Sequence, residues 1–323
     1  MGESMARKTL EPTRKPPTPA DSRKRTGVEL LKYVNSLVDK YPGRAKDSKG
    51  RPGGLIMLPQ KPRPIIVGDL HGTSRNLQLI LEHGGNAADL ESGAALLVIV
   101  GDLVHEDRTG YMKDMSTSIV IFDELLALFA RYPGRVYYIR GNHDTFDERL
   151  RKSGIAQGEE FRKALLAAKG EEFVEETGRF FESLPYFVIG KGFVVTHAGP
   201  IRGGCTREEL VNIKDHPEME MQLVWNRVNE FHGNPSPKEY GEKDIRMMLD
   251  FIDMPPDTPF IVGHNPLWND GGTTGVWLDV IGIKNHHIVY SGAGSRAPYI
   301  TFVDGEMKVE LAMPKEAEVL YFG

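Results

Sequence analysis

Ile65-Ile66-Val67-Gly68-Asp69-Leu70-His71-Gly72 decides how this chain is read. Three branched apolar residues make a run of the kind that forms a buried strand. A glycine, a carboxylate and an imidazole follow at once. The same grammar recurs along the chain. Residues 96–100 run into Gly101-Asp102, and residues 136–139 into Arg140-Gly141-Asn142-His143-Asp144. Residues 193–196 run into His197, and residues 260–262 into Gly263-His264-Asn265. A lone Gly-Asp after a strand is most often a turn. Five such segments in order, each ending an apolar run, point instead to a common site. In open α/β sheets ligands bind beyond the carboxyl ends of the strands, so the five segments are expected to converge on one rim.

The residue types at that rim suit metal ions. Asp, His and Asn offer oxygen and imidazole nitrogen, the donors that manganese, iron, zinc and nickel accept. A carboxylate can bridge two cations and lower their mutual repulsion. Two such ions can clamp a phosphoryl group and activate a water between them. The glycines beside the candidate ligands allow sharp turns at the strand ends.

Between these segments the pattern alternates. Leu77, Ile80 and Leu81 mark a helix capped by Ser74, and Ile119, Phe122, Leu125, Leu126 and Phe129 mark another. Strands alternating with helices predict an α/β layered fold, a sandwich of mixed sheets flanked by helices with the metal site at the strand ends. Val28, Leu31, Val34, Leu37 and Val38 predict an earlier helix, and residues 42–64, rich in Gly, Pro and Lys, read as a loop. Residues 187–189 and 193–195 read as a hairpin. Three runs, 287–290, 299–303 and 307–311, suggest a terminal antiparallel meander. Residues 1–27 carry four prolines and alternating charge and read as a disordered basic tail. Residues 28–323 are expected to form one domain, with helical inserts near 145–183 and 206–258.

Composition narrows the function classes. The 323 residues carry 40 Lys+Arg and 45 Asp+Glu, a net charge of −5, of which the first 27 residues contribute +4. The remaining body is acidic, so specific nucleic-acid binding, which needs a basic face, is not expected. Cys205 is the one cysteine, which excludes an intrachain disulfide and a cysteine-rich zinc site. No apolar run approaches a membrane span, and the first residues lack the apolar stretch of a secretion signal. A cytoplasmic location is therefore expected.

The five segments together resemble the calcineurin-like metallophosphoesterase superfamily, and specifically its phosphoprotein phosphatase branch. They stand here as GDLHG (68–72), GDLVHEDRTG (101–110), RGNHD (140–144), HAG (197–199) and GHNP (263–266). Trp225-Asn226-Arg227 is similar to a feature of the bacterial and bacteriophage members. The resemblance covers residues 65–303. It implies a pair of divalent or mixed-valence ions, manganese first, with iron, zinc or nickel as alternatives. Asp69 and His71 would bind the first ion, Asp102 would bridge, and Asn142, His197 and His264 would bind the second. His143 would be the general acid for the leaving oxygen. Arg108 and Arg227 would hold the phosphate oxygens, because a guanidinium fork matches phosphate.

Residues 103–110 depart from the family pattern. Read with two inserted residues, Asp107 supports His143 and Arg108 binds phosphate. Read without a gap, His105 and Glu106 take those two places. The first reading keeps a cation at the phosphate and is the expected one. Asp144 stands where the branch carries Glu. The resemblance implies hydrolysis of phosphate monoesters by a metal-bridging hydroxide, with phosphoserine, phosphothreonine or phosphotyrosine proteins as substrates. The same fold also supports hydrolases of small phosphoesters or dinucleoside polyphosphates. A metal-free binding scaffold would require lost ligands, and every ligand position here is filled.

Overall fold

The computed structural model describes residues 25–107, 110–231, 233–267, 275–292, 294 and 296–314. Most of the expected tail, residues 1–24, lies outside the described residues. Helix α1 (Gly27–Val38) comes first. Strands β1 (Arg44–Lys46), β2 (Pro52–Met57) and β3 (Arg63–Val67) follow. Helices α2 (Ser74–Glu82) and α3 (Asn86–Ser92) lead to β4 (Ala95–Ile99), and α4 (Ser116–Arg131) leads to β5 (Val136–Tyr138). Helices α5 (Gln157–Lys169) and α6 (Glu171–Ser183) precede the hairpin β6 (Phe187–Gly190) and β7 (Phe193–Thr196). Helices α7 (Arg207–Val211) and α8 (Pro217–Trp225), the short strands β8 (Arg227–Val228) and β9 (Glu239–Tyr240), and α9 (Glu242–Phe251) occupy the second insert. Strands β10 (Phe260–Val262), β11 (Val276–Trp277), β12 (His286–Val289), β13 (Ala297–Val303) and β14 (Glu306–Ala312) complete the order.

The strands make two large mixed sheets, ordered β1-β2-β6-β7-β10-β12-β11 and β14-β13-β3-β4-β5. Strict alternation in the first sheet sets the layers. Val188, Val195, Ile261 and Val289 point into the core shared with the second sheet. Their neighbours Phe187, Val194, Phe260, Val262 and Ile288 point the other way, into a core capped by α7 to α9. Each such aliphatic side chain, fully buried, is worth about 1.5–3 kcal/mol. In the second sheet β3, β4 and β5 run parallel, so their carboxyl ends share one edge. In the first sheet β7, β10 and β12 do the same. The two sets of strand ends meet there.

Two expectations are corrected. Residues 42–64 are not a loop, because β1 and β2 lie inside them. Gly53 and Gly54 read as breakers, but they make room for the second insert. A Cβ on Gly54 would stand 2.2 Å from Ile213 and 2.6 Å from the Leu210 carbonyl. The terminal meander is likewise divided. β13 and β14 pair antiparallel, but β12 runs parallel to β10 in the other sheet. Its residues His286–Val289 are all buried, as a central strand requires.

Candidate metal centre

The strand ends are laced together by backbone. The N–H groups of Leu70 and His71 both donate to the Asp102 carbonyl, at 3.2 and 3.0 Å, and Gly263 donates to His197 at 2.8 Å. His71, Asp102 and His264 adopt left-handed φ angles of 42°, 49° and 60°. Such conformations cost about 1–3 kcal/mol each in non-glycine residues and persist where neighbours over-determine them. Gly101 has a φ of 98° and lies against the backbone of Gly141. A Cβ on Gly141 in turn would stand 2.2 Å from Asp102 Oδ1. No larger residue fits either position.

The side chains are aimed from behind. Asp69 Oδ1 accepts the His264 N–H at 2.9 Å, and Asp102 Oδ1 accepts the His143 N–H at 2.8 Å. Each carboxylate therefore turns its Oδ2 towards the rim. His71 donates from Nδ1 to the His105 carbonyl at 2.9 Å, and His197 donates from Nδ1 to the Val100 carbonyl at 2.7 Å. That choice of tautomer leaves Nε2 of each neutral ring as an inward lone pair. Asp69 Oδ2 and His264 Nε2 are buried without a hydrogen-bond partner.

The donors gather into two groups with one member in common. Asp69, His71 and Asp102 bring ligand atoms within 4.8 Å of one another, and so do Asp102, His197 and His264. Asn142 joins the second group, its Oδ1 lying 3.0 Å from His197 Nε2. Asp102 Oδ2 is 3.4 Å from His197 Nε2 and 4.0 Å from His71 Nε2. Electrostatics point the same way. Burial works to raise the Asp102 carboxyl, but His197, then His143 and His71, hold it well below the usual range. Burial likewise opposes charge on His197, yet Asp102 and Asp69 push that ring up to about 9. This cluster favours positive charge at its centre. Its buried orphan atoms, its inward lone pairs and its oxygen-and-imidazole donors fit two transition-metal ions.

His143 lies beside the second group, and its support differs from the expected one. Its Nδ1 faces Nδ1 of His105 at 3.2 Å. His105 is buried, with a φ of 74°, and its ring packs edge-on against Phe161. The carboxylate of Asp107 is engaged elsewhere. It pairs with Lys152, accepts the Tyr290 hydroxyl at 2.8 Å and lies 3.4 Å from His71 Nε2. The expectation that Asp107 supports His143 is thus corrected. The chain turns sharply at His105, and that turn sets its ring, not the Asp107 carboxylate, beside His143. Burial first, then His71 and Lys152, hold the His143 ring down to about 4, against Asp102 and Asp107.

Arg108 lies outside the described residues. Arg227 is exposed at the rim, its Nη1 donating to Asn265 Oδ1 at 2.8 Å and to the His264 carbonyl at 3.2 Å. Arg140 has a structural place, donating to the Phe181 carbonyl at 2.8 Å. Of the insert aromatics, Phe180 and Phe181 are core, whereas Trp225 packs edge-on against His264 and lines the cleft beside His143.

The sequence reading missed what Asp144 does. It is fully buried, and its Oδ2 accepts N–H groups of Gly141 at 2.7 Å and Asp102 at 3.2 Å. Its Oδ1 accepts the Tyr138 hydroxyl at 2.5 Å, and that hydroxyl accepts the Leu103 N–H at 3.2 Å. One carboxylate therefore ties together two turns that carry candidate ligands. Asp144→Ala would leave three buried donors without an acceptor. At about 1–3 kcal/mol per stranded group, we expect a loss of at least about 3 kcal/mol. The readout is the urea midpoint of the chain in EDTA, and an unchanged midpoint would refute the role.

Comparisons with known proteins bear on the fold and the family. Over 111 residues the chain is 33% identical to the serine/threonine-protein phosphatase 6 catalytic subunit of Drosophila melanogaster, a match covering 32% of each chain. Over 203 residues it is 24% identical to a serine/threonine-protein phosphatase of Caenorhabditis elegans, covering 58% of this chain and 40% of that one. These matches span less than half the length of either relative. A solved protein serine/threonine phosphatase from Saccharomyces cerevisiae superposes with a TM-score of 0.66 over 90% of both chains at 16% identity, which shows a shared fold. The family model for calcineurin-like phosphoesterases matches residues 62–295, the span that holds all five strand ends of the candidate site. By that match the chain belongs to the calcineurin-like phosphoesterase family.

Proposed function

We propose that the chain hydrolyses phosphate monoesters with a pair of metal ions, and that its substrates are phosphoproteins of the phosphoserine, phosphothreonine or phosphotyrosine kind. The observation that carries this reading is the pair of donor groups sharing Asp102, with His143 beside them. The phosphatase relatives support the substrate class. In this reading Asp69, His71 and Asp102 hold one ion, and Asp102, Asn142, His197 and His264 hold the other. Manganese is the first candidate by the family resemblance, and the oxygen and imidazole donors accept it as they accept iron, zinc or nickel. When bound, such ions supply Lewis acidity and an activated water.

The chain's own residues do the rest. His71 and His197 keep their inward lone pairs through the carbonyls of His105 and Val100. His143, with Nδ1 turned to His105, has Nε2 left to protonate a leaving oxygen. Arg227, anchored on Asn265, offers a guanidinium to the phosphate, and Arg151 and Lys152 line the cleft beside His143. Among the described residues no helix is long and apolar enough to cross a membrane. The single cysteine, free and buried, suits a reducing compartment, which supports a cytoplasmic location.

The deciding assay compares a phosphopeptide, p-nitrophenyl phosphate, bis-p-nitrophenyl phosphate and diadenosine tetraphosphate, each with Mn²⁺. Preference for the two monoesters is expected. Preference for diadenosine tetraphosphate would move the substrate class to dinucleoside polyphosphates, and no turnover of any would refute the reading. Arg227→Ala should keep its metal content and lose about 10- to 100-fold in kcat/KM on monoesters, with a smaller loss on the diester. The monoester dianion has more charge for a guanidinium to neutralise. Equal losses on both ester types would argue against phosphate contact.

A further inference from the structure

Strand β14 is an open edge of the second sheet. It follows β13 through Asp304-Gly305, whose φ angles of 53° and 87° are the positive pair that a tight two-residue hairpin turn requires. All seven residues of Glu306–Ala312 then pair with β13 without a break in register. Among the described residues no strand lies on the other side of β14. The remaining edges are short. β5, with three residues, is buried throughout, and β1 and β11 have three and two. Short or covered edges guard against strand addition, whereas a long regular one is a template for it.

The side chains say what would add. Alternation puts Met307, Val309 and Leu311 on one face, where Met307 packs on the core, and Glu306, Lys308 and Glu310 on the other. Lys308 is exposed and Val309 is 40% exposed. Among the described residues neither Lys308 nor Glu310 has an ion-pair partner. Consider a second copy laid antiparallel along this edge, related by a two-fold axis perpendicular to the sheet. Each face then stays on its own side, so one residue must stand opposite its own copy. Val309 is the middle residue of the strand, and an axis there uses its whole length. It sets Lys308 opposite the partner's Glu310 twice over, and Met307 opposite the partner's Leu311. Centring on Lys308 or on Glu310 would set like charges face to face, which is destabilising. Centring on Met307 would pair Glu306 with Lys308, but only residues 306–308 of the strand would overlap.

We propose that β14 pairs antiparallel with β14 of a second copy of this chain, centred on Val309, and joins the two five-stranded sheets into one continuous sheet. The strand is self-complementary in charge and in apolar pattern at that register. The contact is independent of the proposed function, since Lys308 and Glu310 lie outside the candidate metal centre. One strand pair is smaller than the ~1,600 Å² of a standard interface, so self-association in the micromolar range is expected.

The test is sedimentation equilibrium of the full chain over about 1–300 µM, where wild type should pass from monomer to dimer. Lys308→Glu sets two carboxylates face to face at both ends of the contact, and Glu310→Lys sets two ammonium groups there. Each alone should weaken the dimer at least about tenfold. An equimolar mixture of the two variants restores both opposite-charge pairs and should dimerise as wild type does. So should the chain that carries both substitutions. Turnover of p-nitrophenyl phosphate should stay at the wild-type level in all of them, which reports that they fold. Wild type that stays monomeric to about 300 µM would overturn the proposal. So would a dimer indifferent to either substitution, or a mixture no tighter than its components. Dimerisation seen only after removal of residues 315–323 would overturn it too, because the edge would then belong to the chain's own end.

Discussion

Asp102→Asn is expected to lose bound metal and activity together, with kcat/KM on p-nitrophenyl phosphate falling by about 10³ or more. Asp102 is the residue common to both donor groups, so no single change removes more of the site. The amide is worse than a neutral copy of the carboxylate. Oδ1 must accept the His143 N–H at 2.8 Å, which forces the amide oxygen into that place. The amide nitrogen then points where Oδ2 faces His197 and His71. A donor group there cannot ligate and repels a cation. Elemental analysis of purified protein, beside steady-state kinetics, reads both consequences. Two metals per chain with turnover near wild type would refute the shared role of Asp102.

The strand-end grammar was legible because each apolar run stops just before its candidate ligand. Val67 is the last residue of β3 and Asp69 follows two positions later, and Val262 of β10 is followed two positions later by His264. Other features left weaker traces. Gly53-Gly54 looked like a loop because a glycine's need for space is set by what packs on it, here Ile213 and Leu210, far away in sequence. The division of the expected meander depended on which sheet β12 joins, and a short apolar run does not encode its partner. Tyr290 follows β12 at the same rim as the ligands, a signal that strand-end reasoning could have used. The loop after Asp102 was misread for a more local reason. Counting residues shows that the loop is longer than the family pattern, but not where the chain absorbs the excess. The answer lies in the left-handed turn at His105, which a non-glycine residue does not announce.

That turn carries the second large prediction. His143→Ala should keep both metals and lose roughly 10²–10⁴ in kcat on a phosphopeptide, whose alkoxide leaves poorly without a proton. The loss should shrink with p-nitrophenyl phosphate, because that leaving group needs little protonation. His105 should share the defect in milder form. Its Nδ1 and that of His143 lie 3.2 Å apart, and one proton between them makes a hydrogen bond, whereas none or two would repel. With His143 as donor, the lone pair of His105 fixes the ring that must present Nε2 to the leaving oxygen. The His143 ring, held down to about 4 with burial as the leading cause, also needs every neighbour that favours its charged form. His105→Ala should therefore cost about 10- to 100-fold in kcat on the phosphopeptide, with KM and metal content little changed. His105→Asp puts an anion against Nδ1, so it should recover most of that loss and move the alkaline limb of the kcat profile, where the acid loses its proton, to higher pH. A His105→Ala enzyme with wild-type kcat on the phosphopeptide would sink the assignment. Losses equal on both substrates would show that the pair positions the phosphate and does not deliver a proton.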